Sequence, residues 1–70
     1  MDGIDIGNRI FKVLEARGMT QRKLAQDCGL TEVSVHRYIY GERIPNAIVL
    51  AKIAKALHVS ADSLLGMRGE

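Results

Sequence analysis

Apolar residues recur along the chain at the spacing of amphipathic helices, in five segments, and glycine or proline separates the first four of them. The first segment carries Ile6, Ile10, Val13 and Leu14, which fall on one face of a helix. No segment shows the alternating pattern or the Asn-Gly turn that is typical of paired strands. The later stripes are Leu24, Ala25 and Cys28; Val35, Tyr38 and Ile39; Leu50, Ile53, Ala54 and Leu57; and Leu64 with Leu65. The pattern predicts an all-α fold of five short helices.

Residues that begin and end helices stand between these stripes. Four side chains that can accept a hydrogen bond from the first turn precede the second to fifth helices: Thr20, Thr31, Asn46 and Ser60. Four glycines follow helices at positions suited to a C-terminal cap: Gly18, Gly29, Gly41 and Gly66. Pro45 disfavours helix in the residue before it, so residues 42–45 are predicted to be a connector.

The bulk properties of the chain exclude several classes of protein. Its 70 residues suffice for one domain, so residues 1–70 are assigned to a single unit. Ten Lys and Arg against eight Asp and Glu permit a nucleic-acid partner without requiring one. No apolar run approaches the ~20 residues of a membrane span, and the N-terminus lacks the pattern of a secretory signal. The single cysteine suits a reducing compartment, so we expect a cytoplasmic protein.

The most informative segment comprises residues 20–41, where a short turn containing glycine joins two helices. Such a unit presents its second helix to the DNA major groove in many regulators, although it also occurs in other all-α proteins. The outer face and N-terminal end of the third helix carry Glu32, Val33, His36, Arg37 and Tyr40. Arginine binds guanine, a carboxylate accepts from the cytosine amino group, and valine contacts the thymine methyl group. This mixture fits base edges better than it fits an ordinary solvated face.

The chain resembles the lambda repressor/Cro-like (XRE-type) helix-turn-helix family. Residues 18–31, GMTQRKLAQDCGLT, are similar to the family pattern G-[LM]-[TS]-Q-x-x-L-A-x-x-x-G-[LIV]-[TS]. The similarity continues through Ser34-Val35, residues 41–45 and the apolar positions of the last two helices. It covers about residues 6–66, and its pieces are specific in combination. The resemblance implies a lambda repressor-like domain with a central helix-turn-helix.

The resemblance also implies a site for double-stranded DNA, with a recognition helix at about residues 31–40. Four positions lie against the groove and set the sequence that is bound: Glu32, Val33, Ser34 and Arg37. Gln21 opens the second helix and contacts a phosphate, and Tyr40 and Arg43 contact the backbone across the groove. We add Thr31 and His36 to the predicted phosphate contacts. Plain exposure is the alternative for His36 and Tyr40, and burial or a protein interface is the alternative for Val33.

One departure from the family pattern concerns the packing of the first and third helices. Many members pair an Arg in the first helix with a Glu near the end of the recognition helix, and the matching positions here are Leu14 and Ile39. Replacing an ion pair by a packed apolar pair is often neutral or stabilising. We therefore expect Leu14 and Ile39 to be buried and to touch.

The function predicted from the sequence is sequence-specific DNA binding by a prokaryotic or phage transcription regulator, as a repressor. The alternative is an antitoxin or protein-interaction module on the same fold. We expect no enzyme activity, cofactor or metal, since Cys28 and His58 lack zinc-ligand spacing and no catalytic arrangement is present. The helix at residues 60–66 is predicted to form a weak homodimer that strengthens on DNA. In the competing interpretation, Leu64 or Leu65 completes the monomer core.

Overall fold

The computed structural model describes residues 3–67, which form five helices and no strand. They are α1 (Gly3–Ala16), α2 (Gln21–Cys28), α3 (Glu32–Ile39), α4 (Ala47–Leu57) and α5 (Ala61–Leu65). The predicted all-α fold of five short helices is thereby confirmed. None of these helices is long and apolar enough to cross a bilayer.

The helices α2 to α5 begin where the sequence places their caps. Each capping side chain accepts a hydrogen bond from the backbone N–H three residues later, which satisfies a donor that the helix itself leaves unpaired. The donor–acceptor pairs are Lys23 to Thr20 at 3.0 Å, Ser34 to Thr31 at 3.1 Å, Val49 to Asn46 at 2.8 Å and Ser63 to Ser60 at 3.1 Å.

The turn between α2 and α3 depends on a left-handed residue. Gly29 has φ of 66°, a conformation that glycine adopts without steric cost. The left-handed conformation of Gly29 turns the chain so that the Leu30 amide donates to the Ala25 carbonyl at 2.9 Å, which caps the end of α2. The helix α3 begins at Glu32, three residues after Gly29, so the two helices are joined by a tight turn.

The end of α4 was not predicted. His58 caps it in the left-handed conformation, with φ of 59°, and is the one non-glycine residue with positive φ among residues 3–67. The Arg17 guanidinium donates to the His58 carbonyl at 3.5 Å, which links this turn to the chain just after α1. An exposed histidine therefore occupies a position that glycine usually fills.

A single apolar core lies between the helices, which pack in the pairs α1–α3, α2–α3, α2–α4, α1–α5 and α4–α5. Its fourteen buried residues are Ile6, Ile10, Leu14, Leu24, Ala25, Cys28, Val35, Tyr38, Ile39, Leu50, Ile53, Ala54, Leu57 and Leu64. Nearly every predicted stripe residue is among them, while Val13 and Leu65 are half-buried at the edge. Leu64 is completely buried, so it completes the monomer core and is not available for a contact between copies.

The seam between α1 and α3 is unusually close. Gly7 of α1 is buried directly against the last turn of α3, and a Cβ added there would overlap the carbonyl oxygens of Tyr38 and Ile39. Leu14 and Ile39 are both 4% exposed and belong to the same core. The predicted burial of these two residues is therefore confirmed, and the seam fixes how α3 sits on the rest of the domain.

Candidate nucleic-acid interface

The α2–turn–α3 unit is held together from within by small and apolar side chains. Leu24 and Ala25 of α2 are 0% and 3% exposed, and Val35 of α3 is 1% exposed. The small side chain of Ala25 allows α2 and α3 to approach each other closely. Because the inner faces of α2 and α3 are buried in this contact, the opposite face of α3 is exposed to solvent.

That outward face carries the side chains that the sequence assigns to base recognition. Glu32, Val33 and Arg37 are exposed, as is His36, whereas Ser34 is half-buried. Val33 is an apolar side chain with 60% of its surface exposed. The predicted alternative that Val33 is buried in the core is therefore wrong, and a contact with another molecule would remove this apolar surface from water.

A hollow of about 360 Å³ joins the start of α2 to the outward face of α3. Its lining residues are Gln21, Glu32, Val33 and His36. The structure thus brings two predicted base contacts and two predicted phosphate contacts to one place. Gln21 is the first residue of α2, where backbone N–H groups without helical partners can bind an anion such as phosphate.

The hydroxyl groups of Thr31 and Ser34 are joined to each other. The Thr31 hydroxyl donates to the Ser34 oxygen at 2.9 Å, while the Thr31 oxygen caps the Ser34 amide. This arrangement leaves the Ser34 hydroxyl hydrogen able to donate to an acceptor outside the helix. The Thr31 hydroxyl hydrogen is thus already engaged within the first turn. The sequence did not reveal this engagement.

The rings of His36 and Tyr40 lie together at the C-terminal half of α3. Their centroids are 4.4 Å apart and the ring planes are inclined by 38°. Tyr40 is 53% exposed and forms the C-terminal cap of α3, and Arg43 follows in the exposed connector. The two exposed rings are in contact, and the Tyr40 ring lies beside the predicted groove face.

A second, apolar hollow of about 220 Å³ lies at the edge of α1 and α3 and was missed by the sequence analysis. It is lined by Ile4, Asn8, Phe11, Ile39 and Tyr40. Ile4 and Phe11 are 46% and 36% exposed, and they are seven residues apart, on one face of α1. Their spacing in the sequence was the available signal.

The cysteine lies in a third region, away from the outward face of α3. A cleft of about 600 Å³ between α2 and α4 is lined by residues that include Cys28, Lys52, Lys55 and His58. Burial, together with the neighbouring Asp27 carboxylate, raises the pKa of the Cys28 thiol, so the thiol stays protonated near neutral pH. Within residues 3–67, no group of three or more His, Cys, Asp or Glu side chains could hold a metal ion.

Comparison with known families places these features in context. The family model described as helix-turn-helix matches residues 10–64. The chain therefore belongs to the helix-turn-helix family, which is a family of DNA-binding transcription regulators. This confirms the family expected from the sequence.

Two particular proteins are similar to this chain. A curated relative, the cryptic phage CTXphi transcriptional repressor RstR of Vibrio cholerae serotype O1, is 36% identical over 61 residues. The match covers 87% of this chain and 54% of that protein, so the chain spans about half the length of this relative. The restriction-modification controller protein C.AhdI from Aeromonas hydrophila has a crystal structure that matches with a TM-score of 0.86 and 27% identity. That match covers 89% of this chain and 94% of the controller protein.

Proposed function

We propose that this protein binds double-stranded DNA with α3 in the major groove and acts as a transcription regulator, as a repressor. The observation that carries the proposal is the outward face of α3. This face exposes Val33 and Arg37 beside a hollow that reaches the start of α2. An exposed apolar group and an exposed guanidinium on one α3 surface suit the methyl and acceptor groups of base edges.

The side chains divide into those that read bases and those that position the helix. Base contacts are assigned to Glu32, Val33, Ser34 and Arg37, and phosphate contacts to Gln21, Thr31, His36, Tyr40 and Arg43. The geometry supports this division because the first set lies on the first two turns of α3. The second set surrounds that surface, at the start of α2, along α3 and in the connector after it.

The proposed complex contains two copies of the chain on a symmetric site. One copy presents a single eight-residue recognition helix, which offers few base contacts. The region at residues 60–66 is proposed as the contact between copies. Because Leu64 is committed to the core, half-buried Leu65 and the neighbouring Met67, which is 71% exposed, supply the apolar surface there. So small a contact predicts a monomer in solution and a dimer on DNA.

The remaining assignments follow from this function. A protein that acts on DNA through side-chain contacts requires no cofactor and carries out no chemical step. We propose that it is not an enzyme and that it operates in the cytoplasm, where prokaryotic DNA lies.

Selection from a random pool of duplex DNA tests the proposal. We expect a palindromic site whose half-sites are about one helical turn apart. If each copy contributes one charged phosphate contact, from Arg43, affinity should fall about tenfold between 50 and 200 mM salt. Arg43→Ala should make this dependence shallower while leaving the preferred sequence unchanged. Recovery of no enriched sequence would refute the proposal.

A protein-interaction role is the second candidate, and the apolar hollow between α1 and α3 favours it. Ile4, Phe11 and Tyr40 expose apolar surface there, and such surface often marks a protein contact. If this were the main function, no DNA sequence would be enriched, and any residual DNA binding would show no sequence preference.

A further inference from the structure

Two side chains of different chemistry share one hollow on the outward face of α3. Glu32 and Val33 are consecutive residues, and both line the hollow of about 360 Å³ that Gln21 and His36 complete. Glu32 supplies a hydrogen-bond acceptor, and Val33 supplies an apolar surface that is 60% exposed. A group bound in the hollow therefore meets an acceptor and an apolar surface side by side.

The pyrimidine bases differ in how they match this pair. In the major groove, cytosine presents an amino donor at ring carbon C4 and only a hydrogen at C5. Thymine presents a methyl group at C5 but an acceptor at C4, which a carboxylate repels. A cytosine methylated at C5 presents the amino donor and the methyl group on adjacent ring carbons.

We propose that this hollow recognises 5-methylcytosine, so that DNA binding responds to cytosine methylation. The Glu32 carboxylate accepts a hydrogen bond from the amino group, and Val33 packs against the methyl group. The inference rests on the proposed DNA-binding function and names the base that the site prefers. Both residues lie in the first turn of α3, where the helix dipole favours the negative charge of Glu32.

The expected gain in affinity follows from the methyl group, which is the only difference between cytosine and 5-methylcytosine. Removing one methyl group from water on an apolar surface stabilises a complex by ~0.8 kcal/mol, which corresponds to about a fourfold gain in affinity. Thymine should bind more weakly than 5-methylcytosine, because the carboxylate then faces an oxygen with no donor between them.

The test uses synthetic duplexes that carry the selected site. At each pyrimidine of one half-site, with the other half-site left unchanged, cytosine, 5-methylcytosine, thymine and uracil are placed in turn, and the dissociation constant of the full chain is measured. We expect one position where 5-methylcytosine binds about fourfold more tightly than cytosine. Val33→Ala should abolish that gain. Glu32→Gln should raise the affinity for thymine relative to 5-methylcytosine, because an amide can donate to the thymine oxygen.

Arg37→Ala is the matched control, since Arg37 is exposed on the same helix but does not line the hollow. It should weaken binding while keeping the fourfold gain from methylation. Glu32 and Val33 are exposed, so thermal melts should show that both variants remain folded.

Three results would overturn the inference while leaving the DNA-binding proposal intact. They are a selected site at which no pyrimidine responds to methylation, a methylation gain that persists in Val33→Ala, and an unchanged base preference in Glu32→Gln. Failure of the chain to select any DNA sequence would instead refute the DNA-binding function itself.

Discussion

Replacing Gly7 by alanine tests how the seam between α1 and α3 is built. Gly7 lies within α1, where an alanine usually stabilises a helix by ~1 kcal/mol relative to glycine. Propensity alone therefore predicts that Gly7→Ala raises the free energy of unfolding. The structure predicts the opposite sign, because the new methyl group would overlap the carbonyl oxygens of Tyr38 and Ile39.

The loss of stability in Gly7→Ala depends on which atoms can move to relieve the overlap. The overlapping atoms belong to the backbone of α3, so no side-chain rotation relieves the clash and the two helices must separate. Overpacking a core costs ~1–3 kcal/mol, and we place this case at the upper end of that range. Alanine stabilises the helix by ~1 kcal/mol relative to glycine, which offsets part of this cost. The free energy of unfolding should therefore fall by about 2 kcal/mol. For a domain of this size, the melting temperature should fall by about 8–16 °C.

Thermal and urea unfolding followed by circular dichroism provide the measurement. Gly29→Ala is the control, because its added methyl group would meet nothing within 4 Å and only the positive φ is strained. We expect that control to lose ~1–2 kcal/mol and to leave the α1–α3 seam unchanged. In Gly7→Ala, the shift of α3 should also weaken DNA binding measured well below the melting temperature. A Gly7→Ala protein at least as stable as the parent would refute the steric reasoning.

Three further predictions test separate parts of the structure. Arg37→Ala should weaken DNA binding by ~1–3 kcal/mol and relax the preference at one base pair, whereas Gln21→Ala should weaken the binding of all sequences alike. Equal losses for Arg37→Ala across a panel of single-base variants would contradict this. Leu14→Arg and Ile39→Glu should each lower the free energy of unfolding by ~3–5 kcal/mol, because each buries an unpaired charge. The double variant should recover part of this loss in thermal melts, and strictly additive losses would exclude the proposed pairing. The raised pKa of the Cys28 thiol makes the native state hold its proton where the unfolded chain has lost it, so stability should be full below about pH 8.5 and should decline above it. Urea unfolding from pH 7 to 10 should show a flatter profile for Cys28→Ala, and identical profiles would count against the effect of burial on the thiol.

The helix starts were predictable because each depends on residues only three apart. Thr31 caps the amide of Ser34 within one turn, and Asn46 does the same for Val49, so the sequence contains both partners of each bond. The end of α4 is closed by local bonds as well, since the Val59 amide donates to the Ala54 carbonyl at 3.0 Å, but it requires His58 in the left-handed conformation. Histidine adopts this conformation more often than most non-glycine residues but far less often than glycine, so the sequence carries only a weak signal for this helix end.

The candidate site also has features that were predictable from the sequence and features that were not. Helical periodicity alone placed Val33, His36, Arg37 and Tyr40 on the outward face, and all four are exposed. The hollow that Glu32 and Val33 share with Gln21 could not be predicted, because it depends on how α2 and α3 cross. The half-burial of Ser34 and its bond to Thr31 likewise depend on side-chain conformations within the cap.

The α1–α3 seam decides how the salt dependence of DNA binding should be interpreted. The residues that seat α3 on α1 are apolar, and no buried charged residue lies in the core of residues 3–67. Leu14 and Ile39 stand at the positions where the family pattern often has a charged pair. Salt screens charges but does not weaken apolar packing, so added salt leaves the position of α3 unchanged. A loss of affinity at high salt therefore reports the release of ions from phosphates and not a loosened recognition helix. A member of the family that retains the charged pair would combine both effects, whereas for this protein we expect the slope to measure the proposed phosphate contacts alone.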